Sequence, residues 1–422
     1  MRLLIDCASR TSFIVLDRFR WVYCQLDTLR RCMPSSIRKA LNELPTTLDD
    51  TYERMLQGIP KEKFEHASRL FQCMVAALRP LGVEELAELF AVEFGPDNAP
   101  NLVAGWRPED PEDAVLSTCS TFITIIDDRD SKIVQFSHFS VKEFLTSDRL
   151  QMSNVGSICQ YYIPLEAAHA ILARACVTVL LQLDDEQDDE GFRALPLVSY
   201  AIEYWARHSK FEDVASRIQG SLAILFDPKM PYFKPRILLR CVEGMHDVYP
   251  IQPAFFSSEP DKLTPLFLAA FCGFNVLAKH LIITHPQEVN AKCGFDFSAL
   301  HGASMNGQVD SARVLLENRA DVNAEGANDY TPLHQACGFG HPKLARLLLE
   351  HGANLNARTD RKVTPLYLAS EEGHLGTVQF LLDQGADVTI RGDGDLTPYQ
   401  VATRCECHDV AQLLSEHGAE RE

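Results

Sequence analysis

Few residues in this chain have the types and spacing to do chemistry, and those few lie far apart. Cys405-Glu406-Cys407 beside His408 offers two thiols and an imidazole. Zinc ligands usually stand two to four residues apart and come as two pairs, and no second pair accompanies this one, so the group reads as the divergent end of a repeated unit. Asp184-Asp185-Glu186-Gln187-Asp188-Asp189-Glu190 sets six acids in seven residues, which reads as a solvated loop rather than a cation site. His301 and His334 stand in corresponding slots of a repeated block, each near a helix-capping Ser or Thr, and are expected to be satisfied structural histidines rather than a site. ATP hydrolysis needs a glycine-rich turn ending in Lys and Ser or Thr to cradle phosphates and hold magnesium. No Gly-Lys pair occurs anywhere in the chain. No catalytic residue and no metal ligand is therefore assigned, and recognition is the function to look for.

The elements that must carry such recognition announce themselves by period. Thr264-Pro265, Ser298-Ala299, Thr331-Pro332, Thr364-Pro365 and Thr397-Pro398 are spaced 34, 33, 33 and 33 residues. A period of this length means stacked supersecondary units, each burying its neighbour's apolar face. The Thr caps a helix, and Pro fits the first turn because that backbone N–H has no intrahelical partner. Gly340 and Gly373 suit a left-handed turn after the first helix of a repeat, as Gly352 and Gly385 do after the second. Leu347-Leu348-Leu349 and Phe380-Leu381-Leu382 should fill the core between repeats. Gln400 replaces the slot histidine in the last copy and Cys407 is read as standing where a turn glycine is expected, departures usual for a terminal cap.

The block Thr331-Pro332-Leu333-His334-Gln335-Ala336, with Gly340-His341 and Gly352-Ala353-Asn354-Leu355-Asn356, resembles ankyrin repeats, five copies in all. The resemblance implies a protein partner meeting the hairpin tips and the concave first helices. Here those positions include Phe271, Phe297, Met305, Tyr330, Phe339, Tyr367, Glu371 and Glu372. Exposed aromatics among acids would serve as anchors.

Upstream, residues 35 to 58 read as two short helices, the second opened by Thr47 with Asp50 three residues on, a capping box. Residues 61 to 150 give three helices (Phe64 to Leu78, Val83 to Phe90, Glu112 to Cys119). Two β-rich runs, Phe122 to Ile126 and Lys132 to Phe136, then flank a short polar turn. Three helices followed by a hairpin describe a winged helix. Its turn holds three aspartates and one arginine, which fits packing against protein rather than nucleic acid. Residues 160 to 228 are helical in pattern, and 228 to 260, with six prolines, read as a connector.

The whole chain of 422 residues has room for two to four domains, and its net charge of −18 excludes a nucleic-acid footprint. Thirteen cysteines without framework spacing fit a reducing compartment. No run approaches the ~18 apolar residues of a membrane span, and Asp6 interrupts any signal-peptide core, so a cytoplasmic protein is expected.

Several strings in the first 230 residues resemble fungal NACHT-ankyrin proteins of the signal-transducing ATPase family. They are Phe19-Arg20-Trp21-Val22-Tyr23-Cys24-Gln25-Leu26, Leu44-Pro45-Thr46-Thr47-Leu48-Asp49-Asp50-Thr51-Tyr52-Glu53, Arg79-Pro80-Leu81-Gly82-Val83, Phe136-Ser137-His138-Phe139-Ser140 and Tyr200-Ala201-Ile202-Glu203-Tyr204-Trp205. That resemblance implies an ATP/ADP-switched signalling receptor akin to those of innate immunity, with His138 contacting a phosphate of bound ADP. The P-loop is missing, and residues 1 to 18 fit the family badly, as in a truncation or misjoined gene. The expectation is thus a mainly α chain: a NACHT remnant (1–34), a helical segment (35–60), a winged helix (61–150), a helical bundle (151–230), a connector (231–261) and an ankyrin solenoid (262–422) able to fold alone. Its function is expected to be non-enzymatic protein–protein interaction without a cofactor. The alternative is a nucleotide switch whose ATP/ADP core lies in a longer product.

Overall fold

The computed structural model describes residues 47–94, 101–119, 121–128, 131–153, 158–183, 195–211, 214–227, 263–293 and 296–419. The expected helix near Ser36, the acidic run 184–190, the NACHT remnant and the connector lie outside the described residues. Two compact units emerge, residues 1–180 with 187–201, and residues 181–186 with 202–422.

In the first unit, helix α1 (Leu48–Gln57) opens on the expected capping box: the Asp50 N–H donates to Thr47 Oγ1 at 3.1 Å and the Thr47 N–H to Asp50 Oδ2 at 3.2 Å. Helix α2 (Phe64–Ala76) stops two residues sooner than the apolar pattern suggests. Strand β1 (Leu81–Gly82) leads into α3 (Val83–Ala87), which tightens into a 3₁₀ turn over Glu88–Phe90. A two-residue ladder, β2 (Val92–Glu93) with β3 (Asn101–Leu102), precedes α4 (Pro111–Cys119). The hairpin follows as β4 (Ile123–Asp128) and β5 (Ser131–Phe136), so Asp127, Asp128 and Ser131 belong to the strands rather than to the turn. β1 adds to β5 in antiparallel register, Leu81 opposite Val134, giving the sheet order β1-β5-β4. Helix α5 (Phe139–Leu145) comes next, and α6 (Leu165–Leu180) packs along α2.

An aromatic cluster fills this core. Tyr52 lies 5.3 Å from Phe144 and 6.1 Å from Phe122, while Phe71 meets Phe122 edge-on at 5.4 Å. Two bidentate ion pairs pin the segments around α3. Arg79 grips Glu85 at 2.6 and 2.7 Å, and Arg107 grips the buried Glu88 at 2.6 to 3.1 Å.

The second unit holds five helix pairs. First helices run Pro265–Cys272, Ala299–Met305, Pro332–Gly338, Pro365–Glu371 and Pro398–Arg404. Second helices run Asn275–Thr284, Val309–Glu317, Pro342–Glu350, Leu375–Asp383 and His408–Glu416. First helices stack on first helices and second on second. Ahead of the stack, Trp205 of helix α7 (Val198–Ser209) and Phe226 pack on Phe274 at the start of the first pair's second helix, at 5.5 and 6.2 Å.

Candidate recognition surface

Most of the signature residues are spent on joining one repeat to the next. In the third repeat the Thr331 N–H donates to His334 Nδ1 at 3.1 Å, which fixes that nitrogen as the acceptor and places the ring proton on Nε2. Nε2–H then donates to the Val363 carbonyl of the next repeat at 3.0 Å. His301 repeats the pattern, with Ser298 N–H on Nδ1 and the Tyr330 carbonyl 2.9 Å from Nε2. Burial pushes both imidazoles down to about 4, against the upward pull of those carbonyls. In the fifth repeat Gln400 Oε1 accepts the Thr397 N–H at 2.9 Å, reproducing the cap.

A second set of side chains reaches backward. His341 Nε2 meets the Met305 carbonyl at 3.2 Å and His374 Nε2 the Gly338 carbonyl at 2.9 Å, 36 residues upstream in each case. A third set, Asn290, Asn323 and Asn356, accepts the N–H groups of Asp321, Asn354 and Asp387 in the next repeat at 2.8 to 3.1 Å. Cys407 belongs to the second set. It stands where His341 and His374 stand, with Sγ against the Glu371 carbonyl, and the left-handed turn position falls instead to Glu406 at φ 59°. The reading of Cys407 as the turn residue was therefore off by one, because the turn here dispenses with glycine.

Between repeats the chain forms short fingers, closed by Gly326 N–H to the Tyr330 carbonyl, Thr359 N–H to Val363 and Gly392 N–H to Leu396 at 2.8 to 3.0 Å. Four of the eight candidate anchors do not face solvent. Phe271, Phe297 and Tyr367 are each 1% exposed and Met305 2%. Phe271 stacks on Phe267 at 6.2 Å, and Phe297 lies against His301 at 5.1 Å beneath Gly326. Tyr367 fills the slot that histidine occupies in earlier repeats and donates from its hydroxyl to the Asp393 carbonyl at 3.2 Å. These four are core residues and supply no docking surface.

The other four remain accessible. Tyr330 and Phe339 are half-buried, Glu371 is partly buried and Glu372 is exposed. Burial is the main cause raising the Glu371 carboxyl, with Glu372 and Asp393 adding to it. Arg404, 3.5 Å away, opposes it. Tyr330 is raised chiefly by burial and then by Glu371, so these two groups share one neighbourhood. Arg361 Nη1 lies 3.6 Å from Asp393 Oδ2 between neighbouring fingers. The accessible candidates are thus two aromatics and two acids, with Arg361 and Arg404 among the acids, carried on a ladder of bonds between repeats.

Residues 238–326, 323–392 and 359–421 each match the ankyrin-repeat family. The C-terminal stack consists of ankyrin repeats. Residues 52–155 match the winged helix domain of GPI inositol-deacylase. The chain is also similar to the azaphilone pigments biosynthesis cluster protein L of Monascus ruber, 28% identical over 296 residues. That alignment takes in 66% of this chain and 61% of the relative, so the chain spans about three fifths of that protein's length. Ankyrin repeats mediate protein–protein contacts and are not catalytic in themselves. Among the described residues no helix is long and apolar enough to cross a membrane.

Upstream of the ankyrin repeats, His138 caps α5 in the winged-helix domain. The Ser140 N–H donates to its Nδ1 at 3.3 Å, so that nitrogen is an acceptor and the Ser140 hydroxyl at 2.6 Å donates to it as well. The Tyr52 hydroxyl, 2.9 Å from Ser140 Oγ, must then donate in turn, completing a relay from α1 to the hairpin–helix corner. A structural duty therefore accounts for His138 Nδ1, and the neutral ring carries its proton on Nε2.

Proposed function

We propose that this protein is a non-enzymatic interaction protein, whose ankyrin stack binds a protein partner through the first helices and fingers of repeats three to five. The observation that carries this reading is the division of labour among side chains. Signature residues are consumed in bonds between repeats, whereas Tyr330, Phe339, Glu371 and Glu372 stay accessible on that ladder. Half-buried aromatics beside charges are the usual make-up of anchoring residues. The pigment-cluster relative is named for a biosynthesis cluster and for no reaction, which is compatible with an accessory binding role. A cytoplasmic site of action belongs to the same proposal.

The test is affinity capture with the full chain, compared with Tyr330→Ala and with Glu371→Lys plus Glu372→Lys. A partner kept by the parent and lost by both variants, whose melting is unchanged, supports the surface. Partners retained equally by all three would move the binding site elsewhere.

One observation favours a second reading, a nucleotide-switched signalling receptor of the NACHT type. The relay from Tyr52 holds the His138 proton on Nε2, the form in which an imidazole donates to a phosphate oxygen. In this reading the ATP/ADP core is supplied by a longer product. Purified chain that retains one ADP per molecule would overturn the purely binding reading.

A further inference from the structure

The winged-helix domain has a groove of ≈ 650 Å³ that neither reading uses. Phe90, Phe94, Trp106 and Pro108 give it an aromatic and apolar lining. Trp106 is 54% exposed, whereas the core aromatics Tyr52, Phe71 and Phe122 of the same domain are wholly buried. Among the described residues, a large indole that open in the lining of a groove leaves apolar area available for contact.

Two guanidiniums stand at the Phe94 end of the groove. Arg69 Cζ lies 4.9 Å from the centre of the Phe94 ring, and Arg174 Cζ lies 5.9 Å from the same centre. Two guanidiniums against one ring repel each other: burial first, and then the Arg69 charge, lower Arg174. His66 on the same rim is lowered by the same two causes. Two carboxylates also line the groove. Glu93 is engaged by Asn101 Nδ2 at 2.6 Å. Glu65 meets Arg69 at only 3.4 Å with its side chain 74% exposed, a screened pair that a better-placed anion can displace.

We propose that this groove is a binding site for a flat aromatic carboxylate, with the rings against Trp106, Phe90 and Phe94 and the carboxylate on Arg69. The volume falls within the ~300–1,000 Å³ of small-molecule sites, mostly apolar with a few polar groups that fix orientation. A planar guanidinium is the natural mate of a carboxylate, and its stacking on Phe94 holds it ready.

The test is calorimetric titration of the full chain with 2-naphthoate and, in parallel, with the neutral 2-naphthylmethanol. The acid should saturate at one per chain. Arg69→Met should weaken it about tenfold, while Arg69→Lys keeps part of the affinity. The alcohol should be indifferent to Arg69, and Trp106→Ala should weaken acid and alcohol alike. Should Trp106→Ala lower the melting temperature, the Arg69 pair decides alone. Absence of saturation, equal binding by the Arg69→Met chain, or equal affinity for acid and alcohol would each overturn the proposal. So would a proline-rich peptide that displaces the acid and binds more tightly, since it would make the groove a peptide site.

Discussion

His334 donates from Nε2 to the carbonyl of Val363, 3.0 Å away and one repeat further along the stack. Its other nitrogen accepts a backbone N–H, so a second proton on the ring has no place to go without breaking the cap. His301 is bound in the same way.

Stability should therefore depend steeply on acid. Both imidazoles are lowered to about 4 in the fold, while an unfolded histidine titrates near ~6.5, so the unfolded chain binds more protons in between. Their contribution is fully present above ~6.5 and is lost as pH falls through 4, on the order of 3 kcal/mol for each ring. Urea unfolding of the full chain followed by far-UV circular dichroism at pH 7, 5.5 and 4.5 checks this. His334→Gln should flatten the dependence, because Gln400 already demonstrates that an amide can make the cap without titrating.

Gly340 turns at φ 71°, and a Cβ built there would come within 2.8 Å of His374 Nδ1. Gly340→Ala should cost about 1–2 kcal/mol, part from the left-handed backbone and part from the collision. Adding His374→Ala should recover the collision and leave the backbone cost. A double-mutant cycle read by thermal melting separates the two, and strict additivity would contradict the contact.

Glu88 is 2% exposed and is held by Arg107, whose side chain is 32% exposed. Arg107→Met should destabilise the winged-helix domain by about 3 kcal/mol, since it strands a buried carboxylate. Glu88→Gln, which leaves the arginine partly solvated, should cost less. Chemical denaturation that ranks them in the reverse order would reject the ion pair as the dominant contact.

A fragment of residues 262–422 should fold, because repeats stabilise one another. It should melt below the full chain's ankyrin transition, since it lacks the rings of Trp205 and Phe226 that cover Phe274. Trp205→Ala in the full chain should reproduce much of that loss, about 3 kcal/mol. Hydrogen exchange fastest in the first helix pair of the fragment would locate the effect.

Sequence made the repeat stack legible because its capping residues recur at fixed spacing, and the same holds for the Thr47–Asp50 box. It could not separate anchors from core. Phe271, Met305 and Glu371 occupy the same position of the first, second and fourth repeats, yet two are buried and the third lines the surface. What decides this is the packing of each neighbour, as when Phe267 stacks on Phe271. Cys407 misled for a local reason: Glu406 adopts the turn that glycine usually takes. β1 was missed because two residues cannot display a period of two. The groove at Trp106 left no signal either, since Arg69, Phe94 and Arg174 come together only through the packing of α2 and α6.

The bonds between repeats run in both directions along the array. His334 reaches forward 29 residues and His374 back 36, and each fixes its register against a specific carbonyl. Lengthening or shortening the chain by one residue between such a histidine and its carbonyl would misalign the bond. The one extra residue of the array, in the 34-residue first period, accordingly falls before Ser298 and outside the spans that these histidines bridge. Within those spans, duplication or excision of a whole period keeps every bond in register, whereas a fractional step breaks one. Evolution can edit the faces of the stack one residue at a time, but can edit the tied part of its length only in units of 33.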